Sequence, residues 1–195
     1  MLKPNNYDNV QAIGAFENIE LGGHILVIKK VVETQSSTGK DMIKISLDTD
    51  RTDKQPNYYM NRWNNDKRDS KKWGCVVNQL VLDKDGNCSR GLKTFIEMVE
   101  KSNTGFKVQW GDNFAKCFEG KLIGGVFGRE EYLNTYGESK FATKCTGFRT
   151  VQDVKEGKVE PPKDKLLAPQ PVGLGGNGVD INSDITPVDD GDIPF

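Results

Sequence analysis

The stretch "HILVIKKVVE", the polar turn "TQSSTGKD" and then "MIKISLDTD" constrain the fold more than any other part of the chain. The first run, residues 24–33, is rich in β-branched side chains. The third alternates cleanly, with Ile43, Ile45 and Leu47 on one face and Met42, Lys44, Ser46 and Asp48 on the other. Period-two alternation is the mark of a half-buried strand, and two such runs around a short polar turn predict a hairpin. A second hairpin is predicted late in the chain, where "GKLIGGVFGREEY" and "SKFATKCTGFRTV" flank "NTYGE".

One segment keeps a different period. In "GLKTFIEMVEKSN", Leu92, Phe95, Ile96 and Val99 fall at i, i+3, i+4 and i+7, one face of a helix, with Ser102 and Asn103 closing it. Several short strands around one helix predict a mainly β fold. We expect a small antiparallel barrel of the oligonucleotide/oligosaccharide-binding (OB) type, one helix across its end, followed by a disordered acidic C-terminal tail. Trp110, Phe114, Phe118 and Phe127 are expected in the core.

Charge divides the chain. Residues 1–165 carry 27 basic and 23 acidic side chains. Residues 166–195 carry no basic side chain and five aspartates, Asp180, Asp184, Asp189, Asp190 and Asp192. Asymmetry of this kind points to a nucleic-acid-binding body with an acidic tail. Composition changes at the same place: "LLAPQPVGLGGNGVDINSDITPV" is rich in Gly, Pro and Asn and has no apolar period, so it cannot offset its backbone entropy by burial. The expected organisation is a binding domain over 1–160, a flexible linker over 161–187 and a tip over 188–195.

Several chemistries are hard to build. His24 is the single imidazole, and it opens a predicted strand. Nucleotide-loop, nucleophile-elbow and zinc-protease motifs do not occur, and "GGVFGRE" is better read as bulges or close backbone approach than as a phosphate loop. Cys75, Cys88, Cys117 and Cys145 lack the close pairs of a zinc site and read as reduced thiols. The reading is therefore not an enzyme, with no catalytic residue, no metal and no cofactor. Asp41, Asp48, Asp50, Asp53, Glu119, Glu130 and Glu131 leave open a two-metal nuclease. No apolar run spans a membrane and the first residues read as no secretion signal, so a cytoplasmic location, with no membrane partner, is expected.

The basic and aromatic residues give a sharper pattern. "RTDKQPNYYMNRWNNDKRDSKKWG" interleaves Tyr58, Tyr59, Trp63 and Trp73 with Arg62, Lys71 and Lys72 among other cations. Single-stranded nucleic acid asks for this mixture: flat rings stack on bases, at about 1–3 kcal/mol each, while cations track phosphates. Lys44 on the alternating strand joins this candidate set. Lys144, Phe148 and Arg149 in "TKCTGFRT" form a second, weaker group.

The last residues read "VDDGDIPF". Asp189, Asp190 and Asp192 lead into Ile193, Pro194 and Phe195, an apolar wedge with a carboxylate behind negative charge. A pocket with a basic rim would capture it. This tip resembles the acidic C-terminal tip of bacterial single-stranded-DNA-binding proteins, departing by Gly191. The resemblance implies that Ile193, Pro194 and Phe195 fill a pocket on a helicase, nuclease, recombination or primosome protein, and that the aspartates steer the approach. The body is more similar to bacteriophage proteins of that function, on "GGHILVIKKVVE", "KKWG", "LKTFIEMVEKSN" and "GKLIGGVFGREEY". The resemblance implies an OB barrel and single-stranded DNA as ligand, in a bacterial or phage-infected cell. The function expected is sequence-independent coating of exposed strands in DNA replication, recombination and repair, with host or phage partners recruited by the tip. Homo-oligomerisation, an RNA ligand and a pure adaptor role stay open.

Overall fold

The structure, a computed structural model, describes residues 3–4 and 18–167. The linker from residue 168 onward and the tip residues Asp189, Asp190, Asp192, Ile193, Pro194 and Phe195 lie outside the described residues. In chain order the elements are β1 (Gly22–Gln35), β2 (Asp41–Thr49), α1 (Tyr58–Asn65), β3 (Val76–Leu80) and α2 (Arg90–Ser102). A 3₁₀ turn (Gly111–Asn113) follows, then α3 (Phe114–Cys117), β4 (Leu122–Leu133), β5 (Ser139–Arg149) and α4 (Val151–Lys155). Among the described residues no helix is long and apolar enough to cross a membrane.

The strands form one antiparallel sheet in the order β3-β2-β1-β4-β5. Both predicted hairpins are present. β1 is long because it serves two partners. Gly22–Val27 pair with β4, Leu26–Gln35 pair with β2, and the register shifts between Ile28 and Lys30. That bulge leaves Lys29 as the extra residue and turns the strand from one partner to the other. Beyond it, Val31 faces inward with Ile45, while Lys30 and Val32 face outward with Ser46 and Lys44.

Among the described residues the expected barrel is not closed by hydrogen bonds: β3 and β5 are the two edges of the sheet. β3 is short, with five residues, and side chains pack between the two edges. α2 packs against β3, β4 and β5 with Leu92, Phe95, Ile96 and Val99 buried. Phe95 meets Phe118 at 5.0 Å and Phe148 of β5 at 5.4 Å. Ser89 caps α2 by accepting from the Leu92 N–H (3.1 Å). The Asn103 amide ties its other end to Leu122 of β4, donating to the carbonyl at 2.8 Å and accepting from the N–H at 3.0 Å.

Of the four rings expected in the core, Phe114, Phe118 and Phe127 are buried. Trp110 is not: it is 67 % exposed and stacks on Phe114 from outside. The chain also stays packed beyond the expected boundary at residue 160. After α4 it runs over Gly22 and Gly23. It then pairs with β4 through Lys165, whose N–H donates to the Arg129 carbonyl (2.9 Å) and whose carbonyl accepts from Glu131 (2.8 Å). Glycine is what admits this strap, because a Cβ on Gly128 would stand 2.5 Å from Cγ of Pro162.

Candidate nucleic-acid interface

The aromatic-basic stretch folds into α1 and the loop that follows, and β2 explains why. Helix N-termini leave backbone N–H groups without partners. Here the end of β2 supplies them. One oxygen of Asp48, Oδ1, accepts from Thr49 (2.9 Å), Tyr59 (2.9 Å) and Met60 (3.4 Å). The Thr49 hydroxyl accepts from Tyr58 (2.8 Å). Asn57 turns the chain into the helix with a left-handed φ of 52°. Burial pushes the Asp48 carboxyl above its ordinary range, against the pull of those three N–H groups.

α1 divides its aromatic residues between core and surface. Tyr59 is buried in the core cluster with Cys75 and stacked on Phe127 at 6.4 Å. Its phenol is pushed up by that burial and cannot stack a base, which corrects its assignment as a platform. Tyr59 belongs to the core cluster against which Cys145 of β5 also packs. Tyr58 is half-buried. Its hydroxyl accepts from Arg62 (2.8 Å) and from the Ile19 N–H (3.0 Å), and the Arg62 guanidinium lies 5.5 Å from its ring.

Trp63 and Trp73 come together, centroids 5.8 Å apart, although they are ten residues apart in the chain. Trp73 is fixed from behind: its Nε1–H donates to the Leu47 carbonyl (2.7 Å), and its body packs on the core. Lys71 reaches over Trp63, Nζ 5.0 Å from the ring, and donates to the Trp63 carbonyl (3.1 Å). Both indoles are half-buried and Lys72 is exposed. Asp66 is engaged by Arg68, which draws its carboxyl down to about 2. Lys44 stands exposed on the outer face of β2, four residues before Asp48, or roughly 13 Å along the strand.

The second group is not assembled as expected. Phe148 is 5 % exposed against α2, a core ring rather than a platform, because the alternation of β5 turns it inward. Arg149 is exposed and donates to the Phe148 carbonyl. Lys144 is committed to Glu130 (3.2 Å), which also holds Lys165 (3.3 Å). Burial of Glu130 opposes its ionisation, but the two lysines outweigh it and hold its carboxyl below the usual range.

The structure adds an arm. β1 leaves β4 at Phe127, so the rest of the β4–β5 hairpin continues as a two-stranded ribbon with the strap alongside. Phe141 is 45 % exposed on it, with the Arg129 guanidinium 5.2 Å over its ring. Asp164 of the strap grips Arg129 through Nε (3.0 Å) and a second contact to Nη2. Tyr136 at the ribbon tip is exposed. These residues lay inside the predicted hairpin. The signal that could have singled them out is length: β4 outruns the part of β1 that can cover it.

Among the described residues no three His, Cys, Asp or Glu side chains are placed to hold a metal ion. Asp53, from the carboxylates named above, is instead bound by His24 Nδ1 (2.9 Å) and by the N–H groups of Ile25 (2.7 Å) and Gln55 (2.9 Å). His24 Nε2 donates to the Glu20 carbonyl (3.1 Å), so the lone imidazole is wholly occupied inside the fold. Compared with known protein families and with curated proteins, the chain matches none.

Proposed function

We propose that this chain is a non-enzymatic single-stranded-DNA-binding protein of OB type, acting in replication, recombination or repair. The observation that carries the reading is the paired indoles Trp63 and Trp73 at the surface, with Lys71 laid over one ring and Arg62 over neighbouring Tyr58. Rings held by polar tethers, with cations on their faces, suit bases that stack and phosphates that pass. The Arg129–Phe141 pair on the arm offers the same chemistry. The sheet order supports the OB reading, since β1 is shared by β2 and β4, a helix lies between β3 and β4, and the OB barrel is itself partly open. The tip, Asp189 to Phe195, would recruit partner proteins to the coated strand, in the cytoplasm of a bacterial or infected cell.

The test is a titration of intrinsic fluorescence with oligo-dT at about 50 and 300 mM NaCl, where single-strand affinity falls with a log-log slope near −0.7 per neutralised phosphate. Salt-sensitive quenching is the expected result. No binding at either salt refutes the reading. A stronger affinity for oligo-rU of the same length would move the ligand from DNA to RNA. Pull-down of replication or repair proteins by the full chain, lost when the last eight residues are deleted, tests the tip.

A further inference from the structure

Folding makes no use of one large ring. Trp110 is 67 % exposed, and one of its faces is fixed by stacking on buried Phe114, centroids 5.3 Å apart and planes inclined by 15°. Phe114 in turn rests edge-on against Phe118 at 5.2 Å. The other face of the indole is left to solvent on a rigid base. A flat ring with one supported face and one open face is the shape on which an unpaired base stacks. Beside it the chain from Asn103 to Gln109, with Lys121, lines an open groove of about 490 Å³.

Charge near this ring is mixed, with a small excess of lysine. Glu100 takes up Lys107 (2.8 Å), and Glu97 is shared by Lys93 and Lys101. Lys116 is exposed, and the Lys121 ammonium lies over the Phe106 ring at 5.0 Å. Asp112 and Glu119 are the acidic neighbours in sequence. Lys121 is also the backbone partner of Ile28: the Ile28 N–H donates to the Lys121 carbonyl (2.9 Å), and the Gly120 N–H to the Ile28 carbonyl (2.8 Å). That pairing sets Lys121 against the bulge of β1. There Lys29 is exposed on the rim and Lys30 on the outer face, in the row next to Lys44. Backbone pairing thus orders the lysines as Lys44 and Lys30 on the sheet, Lys29 at the bulge and Lys121 at the groove, whose lining residue Gln109 immediately precedes Trp110.

We propose that Trp110 is a second base-stacking platform, reached by single strands long enough to follow this lysine track over the β1 bulge. The inference rests on the single-strand reading above but concerns a separate surface, formed after α2 rather than by α1. It predicts a length threshold. Strands shorter than it contact only the α1 cluster and the arm, and strands longer than it also cover Trp110.

Full-length wild type and Trp110→Ala are compared by anisotropy on oligo-dT, from about 8 to about 40 nucleotides, lengths below and above the site of one OB fold. The ring is exposed, so the variant keeps the core. Equal affinity on short strands with a loss of about five- to hundredfold on long ones is expected, that being the worth of one stacked base. Lys121→Glu, a change outside the stack, should lower the salt slope on long strands alone. Coincident curves for wild type and Trp110→Ala at every length overturn the inference while leaving the single-strand reading intact, and would turn attention to a protein ligand for the ring. Failure of the wild type to bind any strand removes the reading itself, and the inference with it.

Discussion

Asp48→Ala is the substitution that links the fold most directly to the candidate interface. Asp48 is 1 % exposed and holds the first turn of α1 to the end of β2. Two of the bonds it accepts, from Thr49 and Tyr59, are 2.9 Å long; the third, from Met60, is 3.4 Å and contributes little. A hydrogen bond to a charged group is worth about 1.5–3 kcal/mol, and loss of a helix cap about 1 kcal/mol. These overlap here, so a loss of about 3 kcal/mol is expected, or roughly 6–12 °C in Tm for a domain of this size. Asp48→Asn separates geometry from charge. All three N–H groups converge on one oxygen, which Asn keeps, and Asn relieves the burial that raises this carboxyl, so its cost should stay below about 1 kcal/mol. Thermal and urea unfolding give both values, and oligo-dT affinity measured well below Tm reads the position of α1. Since α1 carries Tyr58, Arg62 and Trp63, the Ala variant should bind more weakly even where it is folded. An Asn variant as damaged as the Ala variant, or an Ala variant within about 0.5 kcal/mol of wild type, would refute the capping argument.

Phe148→Ala should cost about 3–5 kcal/mol of stability, as a buried ring between β5 and α2 does, while the folded fraction binds oligo-dT normally; a specific loss of binding would restore it as a platform. Phe141→Ala on the arm should do the reverse, leaving Tm nearly unchanged and weakening binding by about 1–3 kcal/mol. The Asp53 carboxyl is opposed by burial but held below its ordinary range by His24 and by the Gln55 and Ile25 N–H groups. Its contribution is therefore present above the unfolded value of about 3.9 and lost as pH falls through the folded one. The stability gap between wild type and Asp53→Asn should shrink as pH falls below about 4; a gap unchanged between about pH 5 and about pH 3 would show that the carboxylate is not what is lost.

The hairpins and α2 were legible because their residues follow one period each: Ile43, Ile45 and Leu47 every second residue, Leu92, Phe95, Ile96 and Val99 along one helical stripe. α1 was not read as a helix. "YYMNRWNN" has no apolar stripe, and its N-terminal partners, Asp48 and Thr49, lie eight or more residues earlier on another element. The open edge between β3 and β5 was illegible for a related reason. Pattern gives strand identity, but closure depends on which side chains, such as Phe95 of α2 here, pack between the edges. The linker was expected from residue 161 because Val159, Pro161 and Pro162 pack against glycines of β1 and β4 without any apolar period of their own.

The aromatic residues show where such reading stops. Counting charged neighbours treated Tyr58, Tyr59, Trp63 and Trp73 alike, put Trp110 in the core and left Phe141 aside. The structure sorts them by what holds each ring. Tyr59 has Phe127 and Cys75 and is spent on the core. Trp73 and Tyr58 have polar tethers, to the Leu47 carbonyl and to Arg62, that hold them at the surface without hiding them. Trp110 and Phe141 have a support on one face only, Phe114 for one and Arg129 for the other. A ring supported on one side and open on the other adds little to stability, yet loses little entropy when a flat ligand lands on it. Rings of that kind are what the proposed single-stranded ligand would use, since each base it carries has a flat face to stack.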